Sequence, residues 1–138
     1  MKIFIDSDVI VSSLISSSGA SRILLYQEDL IPIISSHSHS ELTIVVKRMS
    51  LDQDLFEQLI QNRLKIIPLN RKTEDLKLEY QTYVTDINDA HIVAGAHAAD
   101  VRYLITYNLR HFQIEKIKNK LNILTLTPSQ FIQYLRSL

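Results

Sequence analysis

Apolar and polar positions along this chain switch repeatedly between a strand-like and a helix-like period. Lys2-Ile-Phe-Ile-Asp6 is a short apolar run closed by an acid and predicts a buried strand. From Asp8 to Ser17, the positions Val9, Ile10, Val11, Leu14 and Ile15 predict a helix pressed on a sheet. Ser18-Gly19 breaks it, and a second helical stretch runs from Ala20 to Asp29 through Ile23, Leu24 and Leu25. Leu30-Ile-Pro-Ile-Ile34 predicts a second strand, in which Pro32 points to an edge position or an early kink. Leu42, Val45, Val46 and Met49 return to helical spacing after Ser36, and another amphipathic helix follows through Leu51, Leu55, Phe56, Leu59 and Ile60.

The second half continues the alternation. Leu64-Lys-Ile-Ile-Pro68 predicts the third strand, and residues 74–84 a helix carrying Leu76, Leu78, Tyr80 and Tyr83. Thr85-Asp86-Ile87-Asn88-Asp89 is a polar, cap-rich entry to a helix from Ala90 to Ala99. The small residues of that helix (Ala90, Ala94, Gly95, Ala96, Ala98, Ala99) allow close approach to its neighbours. Arg102–Thr106 and Asn122–Leu126 predict the last two strands, and Thr127-Pro128 opens a final helix with a hydroxyl cap and a proline in the first turn. Strands separated by helices throughout predict an α/β fold: one domain over residues 1–138, a mainly parallel sheet of about five strands, and helices on both faces. Such sheets bind ligands beyond the carboxyl ends of their strands, where strand order reverses.

Composition narrows the chemistry. The 138 residues include no Cys and no Trp, which removes disulfides, thiolate nucleophiles and cysteine zinc sites. No apolar run reaches membrane-spanning length, and an acid at Asp6 interrupts any signal-peptide core, so the expected location is cytoplasmic. Fifteen basic and fifteen acidic residues cancel, yet unevenly along the chain. Residues 1–100 carry 9 basic and 14 acidic side chains; residues 101–138 carry Arg102, Arg110, Lys116, Lys118, Lys120 and Arg136 against Glu115 alone. That is either a solvated C-terminal face or a phosphate-facing edge beside an acidic pocket.

The acids fall where a parallel sheet keeps its ligands. Asp6 closes the first strand, Asp8 follows it, Glu41 lies on the helix after the second strand, and Asp86 and Asp89 precede the helix leading to the fourth. Carboxylates gathered at one sheet end repel one another unless a cation joins them, and oxygen donors suit Mg²⁺ or Mn²⁺. Taken singly, each has a structural alternative: Asp8 and Asp89 as helix N-terminal acids, Glu41 as an exposed helix residue.

Ile3-Phe-Ile-Asp6-Ser-Asp8-Val-Ile10, Ser40-Glu41-Leu42, Asp86-Ile-Asn-Asp89-Ala-His-Ile-Val-Ala94 and Tyr103-Leu-Ile-Thr106-Tyr-Asn108-Leu-Arg-His-Phe112 together resemble the PIN-domain family. Many members are metal-dependent ribonucleases, including VapC-like toxins of toxin–antitoxin pairs. The resemblance implies a three-layer α/β/α fold, Asp6, Glu41 and Asp89 as catalytic and metal-binding acids, and Asp8, Asp86, Thr106 and Asn108 in support. It further implies an RNA substrate, a small antitoxin partner and a homodimer. Asn108 and His111 stand where related patterns place an acid, which implies a weaker or single-metal site. Arg110, Lys116, Lys118 and Lys120 are then the candidates for RNA-phosphate contact, and Tyr107 for stacking on a base.

The histidines do not form a zinc-like spacing. His37, His39, His91 and His97 are expected in structural or surface roles, while His111 is a candidate for phosphate binding or proton transfer. Two alternatives stay open: a PIN-like RNA- or protein-binding module without turnover, and a haloacid dehalogenase-type phosphatase using Asp6 as nucleophile and Asp8 as acid/base.

Overall fold

Five strands of the computed structural model, which describes residues 1–138, pair in parallel. They are β1 (Lys2–Ile5), β2 (Ile31–Ser35), β3 (Lys65–Ile67), β4 (Tyr103–Ile105) and β5 (Leu124–Leu126), in the order β3-β2-β1-β4-β5. Eight helices connect or follow them: α1 (Ser7–Ile15), α2 (Ala20–Leu25), α3 (Ser36–Arg48), α4 (Gln53–Asn62), α5 (Thr73–Tyr80), α6 (Ala90–Ala98), α7 (Ile114–Leu121) and α8 (Pro128–Arg136).

Strand alternation divides the core into two layers. Ile3, Ile5, Ile34, Tyr103 and Ile105 point to one face and pack with Ile10, Leu24, Leu42, Phe56 and Phe131 from α1, α2, α3, α4 and α8. Phe4, Ile33 and Leu104 point to the other, against Leu76, Val93 and Ile117 from α5, α6 and α7. The result is the expected three-layer α/β/α arrangement. From β1 the chain moves outward to β2 and β3, then crosses back to β4 and β5, so strand order reverses between β1 and β4. A crevice opens there beyond the carboxyl ends.

Gly95 sets the distance between α6 and the sheet. A Cβ at this position would run into the Phe4 ring, with Cε2 only 2.9 Å away. The small-sided helix anticipated from the sequence therefore has a specific partner. At its far end the Lys2 ammonium donates to the Ala99 carbonyl (3.1 Å), which satisfies an acceptor at the helix C-terminus.

Pro32 does not mark an edge, because β2 lies between β1 and β3. The N–H of Ile31 donates to Met1 of the β1 side (2.8 Å), so alternation directs position 32 towards β3. Pairing with β3 begins only at Ile33 and Lys65, and the missing proline N–H interrupts no ladder bond. The expected helix 20–29 ends at Leu25, and the expected helix 74–84 ends at Tyr80 followed by a 3₁₀ turn at Gln81–Tyr83. Helix α7 has no counterpart among the predicted elements. Its Ile114, Ile117 and Leu121 do fall at helical spacing, and it stops at Asn122, whose left-handed φ of 57° Asn tolerates.

Candidate functional site

Asp6 stands at the crevice because the central strand ends there and a helix begins. Its carboxylate caps α1, with Oδ1 accepting the Ser7 N–H at 2.7 Å. Oδ2 accepts the Thr106 hydroxyl at 2.9 Å, from the residue that directly follows β4. The Thr106 oxygen in turn accepts the Asn108 N–H (3.0 Å) and lies 3.4 Å from Asp8 Oδ2. One hydroxyl carries one proton, and the shorter contact assigns it to Asp6. Asp8, in the first turn of α1, accepts the Tyr107 N–H through Oδ2 at 3.0 Å. Its Oδ1 is buried without a hydrogen-bond partner.

Two carboxylates are thus packed into the switch point between β1 and β4. Burial raises the Asp6 pKa first, the Asp8 charge adds to it and Asp89 contributes further; the Thr106 and Ser7 bonds oppose them, leaving a value of about 7. Asp8 is also raised by burial, against the pull of the Tyr107 N–H and the Thr106 hydroxyl.

Asp89 reaches the same crevice through a loop clasp. Thr85 N–H donates to the His111 carbonyl and Gln113 N–H to the Tyr83 carbonyl, both at 2.9 Å, around an antiparallel Val84–Phe112 bridge. The Thr85 hydroxyl adds a bond to the Arg110 carbonyl (3.1 Å). These bonds hold the segment before α6 to the segment after β4. Asp86 caps the 3₁₀ turn Ile87–Asp89 by accepting the Asn88 N–H (3.0 Å). Asp89 precedes α6 yet makes no capping bond, so the helix-cap alternative does not explain it. It faces His111 instead, with Nδ1 3.1 Å from Oδ2. Burial raises the Asp89 pKa, His111 works against that shift and Asp86 reinforces it.

Glu41 lines the same cavity and has a partner of its own. His91 Nε2, from the first turn of α6, sits 3.1 Å from Glu41 Oε1, and this hydrogen bond is the largest cause of a lowered Glu41 pKa. His91 is 7% exposed, and its Nδ1 is buried with no partner. The His37 ring lies 6.0 Å from the His91 ring, centroid to centroid. Sequence spacing predicts structural or surface roles for both histidines, whereas both line the cavity with Glu41. His91 follows Asp89 by two residues, but only tertiary packing shows that it meets Glu41. His97 bonds the Tyr80 hydroxyl (2.8 Å) and His39 packs near Phe56, in line with structural roles.

One cavity of about 420 Å³ is lined by Asp6, Asp8, Glu41, Asp86, Asp89 and Asn108, together with His37, His91 and His111. Lys77 and Thr73 of α5 also line it, although no pattern in the sequence marks either residue as part of a site. The basic residues chosen from the sequence do not line it. Arg110 is adjacent to His111 on the rim, in the 3₁₀ turn Leu109–His111. Lys116 rests over the Tyr83 ring, 5.4 Å from its centroid. Lys118 and Lys120 occupy the last turn of α7, which runs from the exit of β4 back towards the start of β5 and so away from the crevice. Tyr107 is 41% exposed, its backbone engaged by Asp8 and its ring at the surface.

The donor chemistry of the inner wall suits a hard divalent ion: carboxylate oxygens, a carboxamide and a buried Asp8 oxygen without a donor. In this conformation no three acid or imidazole groups converge as a finished ligand set. Glu41 is drawn aside by His91, and Asp89 by His111.

A PIN-domain profile matches residues 2–110. The chain belongs to the PIN-domain family. That membership displaces the phosphatase alternative, and α1 begins at Ser7, directly after Asp6. No curated protein sequence matches the domain. Among solved structures it is similar in fold to a chain of VapBC2 from Rickettsia felis, a complex bound to a DNA fragment from its promoter. The two are 20% identical with a TM-score of 0.61, and the match covers 92% of this chain and 98% of the other. The likeness therefore extends past residue 110.

Proposed function

We propose that this PIN domain is a metal-dependent endoribonuclease that hydrolyses RNA phosphodiester bonds at the crevice between β1 and β4. The observation that carries the reading is the buried Asp6, which feels the charges of Asp8 and Asp89 and stands beside an unpartnered oxygen of Asp8. Negative charge gathered at the switch point raises the pKa of Asp6, and a bound cation would relieve the same repulsion. Asp6, Asp8 and Asp89 would hold Mg²⁺ or Mn²⁺, with Asn108 as a neutral oxygen donor and Asp86 adding charge behind Asp89. Bound there, such an ion supplies a more acidic water and offsets charge developing on phosphate oxygens.

The protein's own groups do the rest. Thr106 fixes the Asp6 carboxylate, and the Tyr107 N–H fixes that of Asp8. Glu41, the third ligand implied by the resemblance, is held by His91 on the cavity lining, where it orients the attacking water. His111 holds Asp89 and offers a proton to a phosphate oxygen. Arg110 contacts the backbone from the rim.

The test is cleavage of single-stranded RNA in Mn²⁺ by the wild type, Asp6→Asn and Asp89→Asn. Each substitution is expected to lower the rate by on the order of 10²-fold or more, the scale of losing a group aimed at the reacting centre. Equal residual cleavage by all three would mean that this site is not responsible.

The likeness to VapBC2 supports a narrower proposal: the domain is the toxin of a toxin–antitoxin pair, works as a homodimer, and is restrained by a small antitoxin. No helix is long and apolar enough to cross a membrane, in keeping with a cytoplasmic protein of this type. A second reading, a PIN-like RNA- or protein-binding module without turnover, is favoured by the two histidines that already occupy Glu41 and Asp89 and by the neutral Asn108.

A further inference from the structure

An acidic crevice repels the anion it is meant to hold, so the proposed reaction needs a cation beside the acids. Arg110 borders the cavity without lining it, and the lysines of α7 lead away. Lys77 is the one Lys or Arg on the cavity wall. Its stem is half-buried on α5, and no carboxylate lies within ion-pair distance of its ammonium, whereas Arg71 nearby is paired with Glu79. One turn before it, Thr73 lines the same cavity. Thr73, His37 and Glu41 also line an adjoining cavity of about 430 Å³ that runs between α3 and α5 to Ser36, Ser40 and Leu69. The shared residues Thr73, His37 and Glu41 join the two cavities into one polar groove leading into the acids, with Lys77 on the acidic side of the junction.

We propose that Lys77 is a phosphate-positioning residue for a single-stranded polynucleotide that enters the acidic crevice along the groove between α3 and α5. Its ammonium pairs with a non-bridging oxygen of the backbone beside the reacting phosphate. As an uncommitted point charge on a flexible stem, it suits a phosphate whose exact angle is set elsewhere. The proposal rests on the polynucleotide part of the reading above and not on turnover.

The experiment is equilibrium binding of a fluorescent 2′-O-methyl oligouridine to the full chain across a KCl series, with Ca²⁺ present in place of Mn²⁺. Cleavage of RNA in Mn²⁺ is measured alongside. Lys77→Gln is expected to weaken binding several-fold and to reduce the slope of log affinity against log salt by about 0.7, the loss of one single-strand phosphate contact. Lys77→Arg restores the slope, and Lys120→Gln leaves it unchanged. An unaltered thermal midpoint in Lys77→Gln shows that the fold is intact. A Lys77→Gln slope equal to that of the wild type overturns the proposal, as does an equal loss from Lys120→Gln or an absence of wild-type binding. A Lys77-dependent slope without wild-type cleavage keeps the proposal and removes the nuclease reading; cleavage with no Lys77 effect does the reverse.

Discussion

Thr106 shows how much one hydroxyl decides. It directly follows β4, donates to the carboxylate that directly follows β1 and accepts the N–H of Asn108, so the exits of the two strands at the switch point share one hydrogen-bonded centre. Asp6 is held there at an energetic cost with a definite pH dependence. Its pKa is raised from 3.8 to about 7, chiefly by burial and then by Asp8. Between those values the native state retains a proton that the unfolded chain has released, so this group makes stability fall as pH rises, and above the native pKa the cost is complete. Asp6→Asn is therefore expected to be more stable than wild type by a few kcal/mol near pH 8, with the advantage fading towards pH 4. Denaturant midpoints of both proteins across that range check it; a pH-independent difference would mean that the carboxylate charge is not the cause. Glu41 has the opposite sign: His91 lowers its pKa, so its contribution is present above the unfolded carboxylate pKa and is lost on acidification.

Among the elements, α6 bears the closest constraint. It packs on the sheet through Gly95, opposite Phe4, while its first turn carries His91 towards Glu41. Alanine at position 95 gains about 1 kcal/mol of intrinsic helix preference, but its methyl group has no room against the ring. Gly95→Ala is thus expected to destabilise the fold by about 1–3 kcal/mol in urea unfolding, the usual cost of overpacking. Adding Phe4→Leu should recover part of that loss; a stabilised single mutant would show that α6 does not lie this close. The loops are constrained as tightly. The clasp between residues 83–85 and 110–113 brings Asp89 beside His111. Neither segment has a sequence pattern that announces the pairing, because a single isolated bridge, made by two backbone bonds, leaves no run of alternating residues.

For the molecule as a whole, the candidate site lies across the seam between two halves of the sheet. β1 and β2 with α1 and α3 supply Asp6, Asp8 and Glu41; the β3–β4 crossover supplies Asp86 and Asp89; the exit of β4 supplies Thr106 and Asn108. An ion bound to these acids would tie the halves together and stabilise the native state by mass action, by about 2.7 kcal/mol at a hundredfold excess over its dissociation constant. Mn²⁺ is therefore expected to raise the thermal midpoint of the wild type and to leave Asp6→Asn and Asp89→Asn nearly unchanged. A shift of equal size in all three would place the ion elsewhere.

Most of the architecture follows from local signals. All five strands and seven of the eight helices were evident, since apolar runs and helical spacing depend on near neighbours. The acids at strand ends were evident as well, because a parallel sheet directs ligands there. Helix α7 was obscured by its lysines, although its apolar stripe was present. Side-chain partners and direction were not accessible in this way. That His91 meets Glu41, that Lys77 faces the cavity while the α7 lysines lead away, and that Pro32 is tolerated in an inner strand all depend on how remote elements dock. Periodicity specifies which face of an element is buried; the packing of one layer against another specifies which polar groups then come within reach of each other.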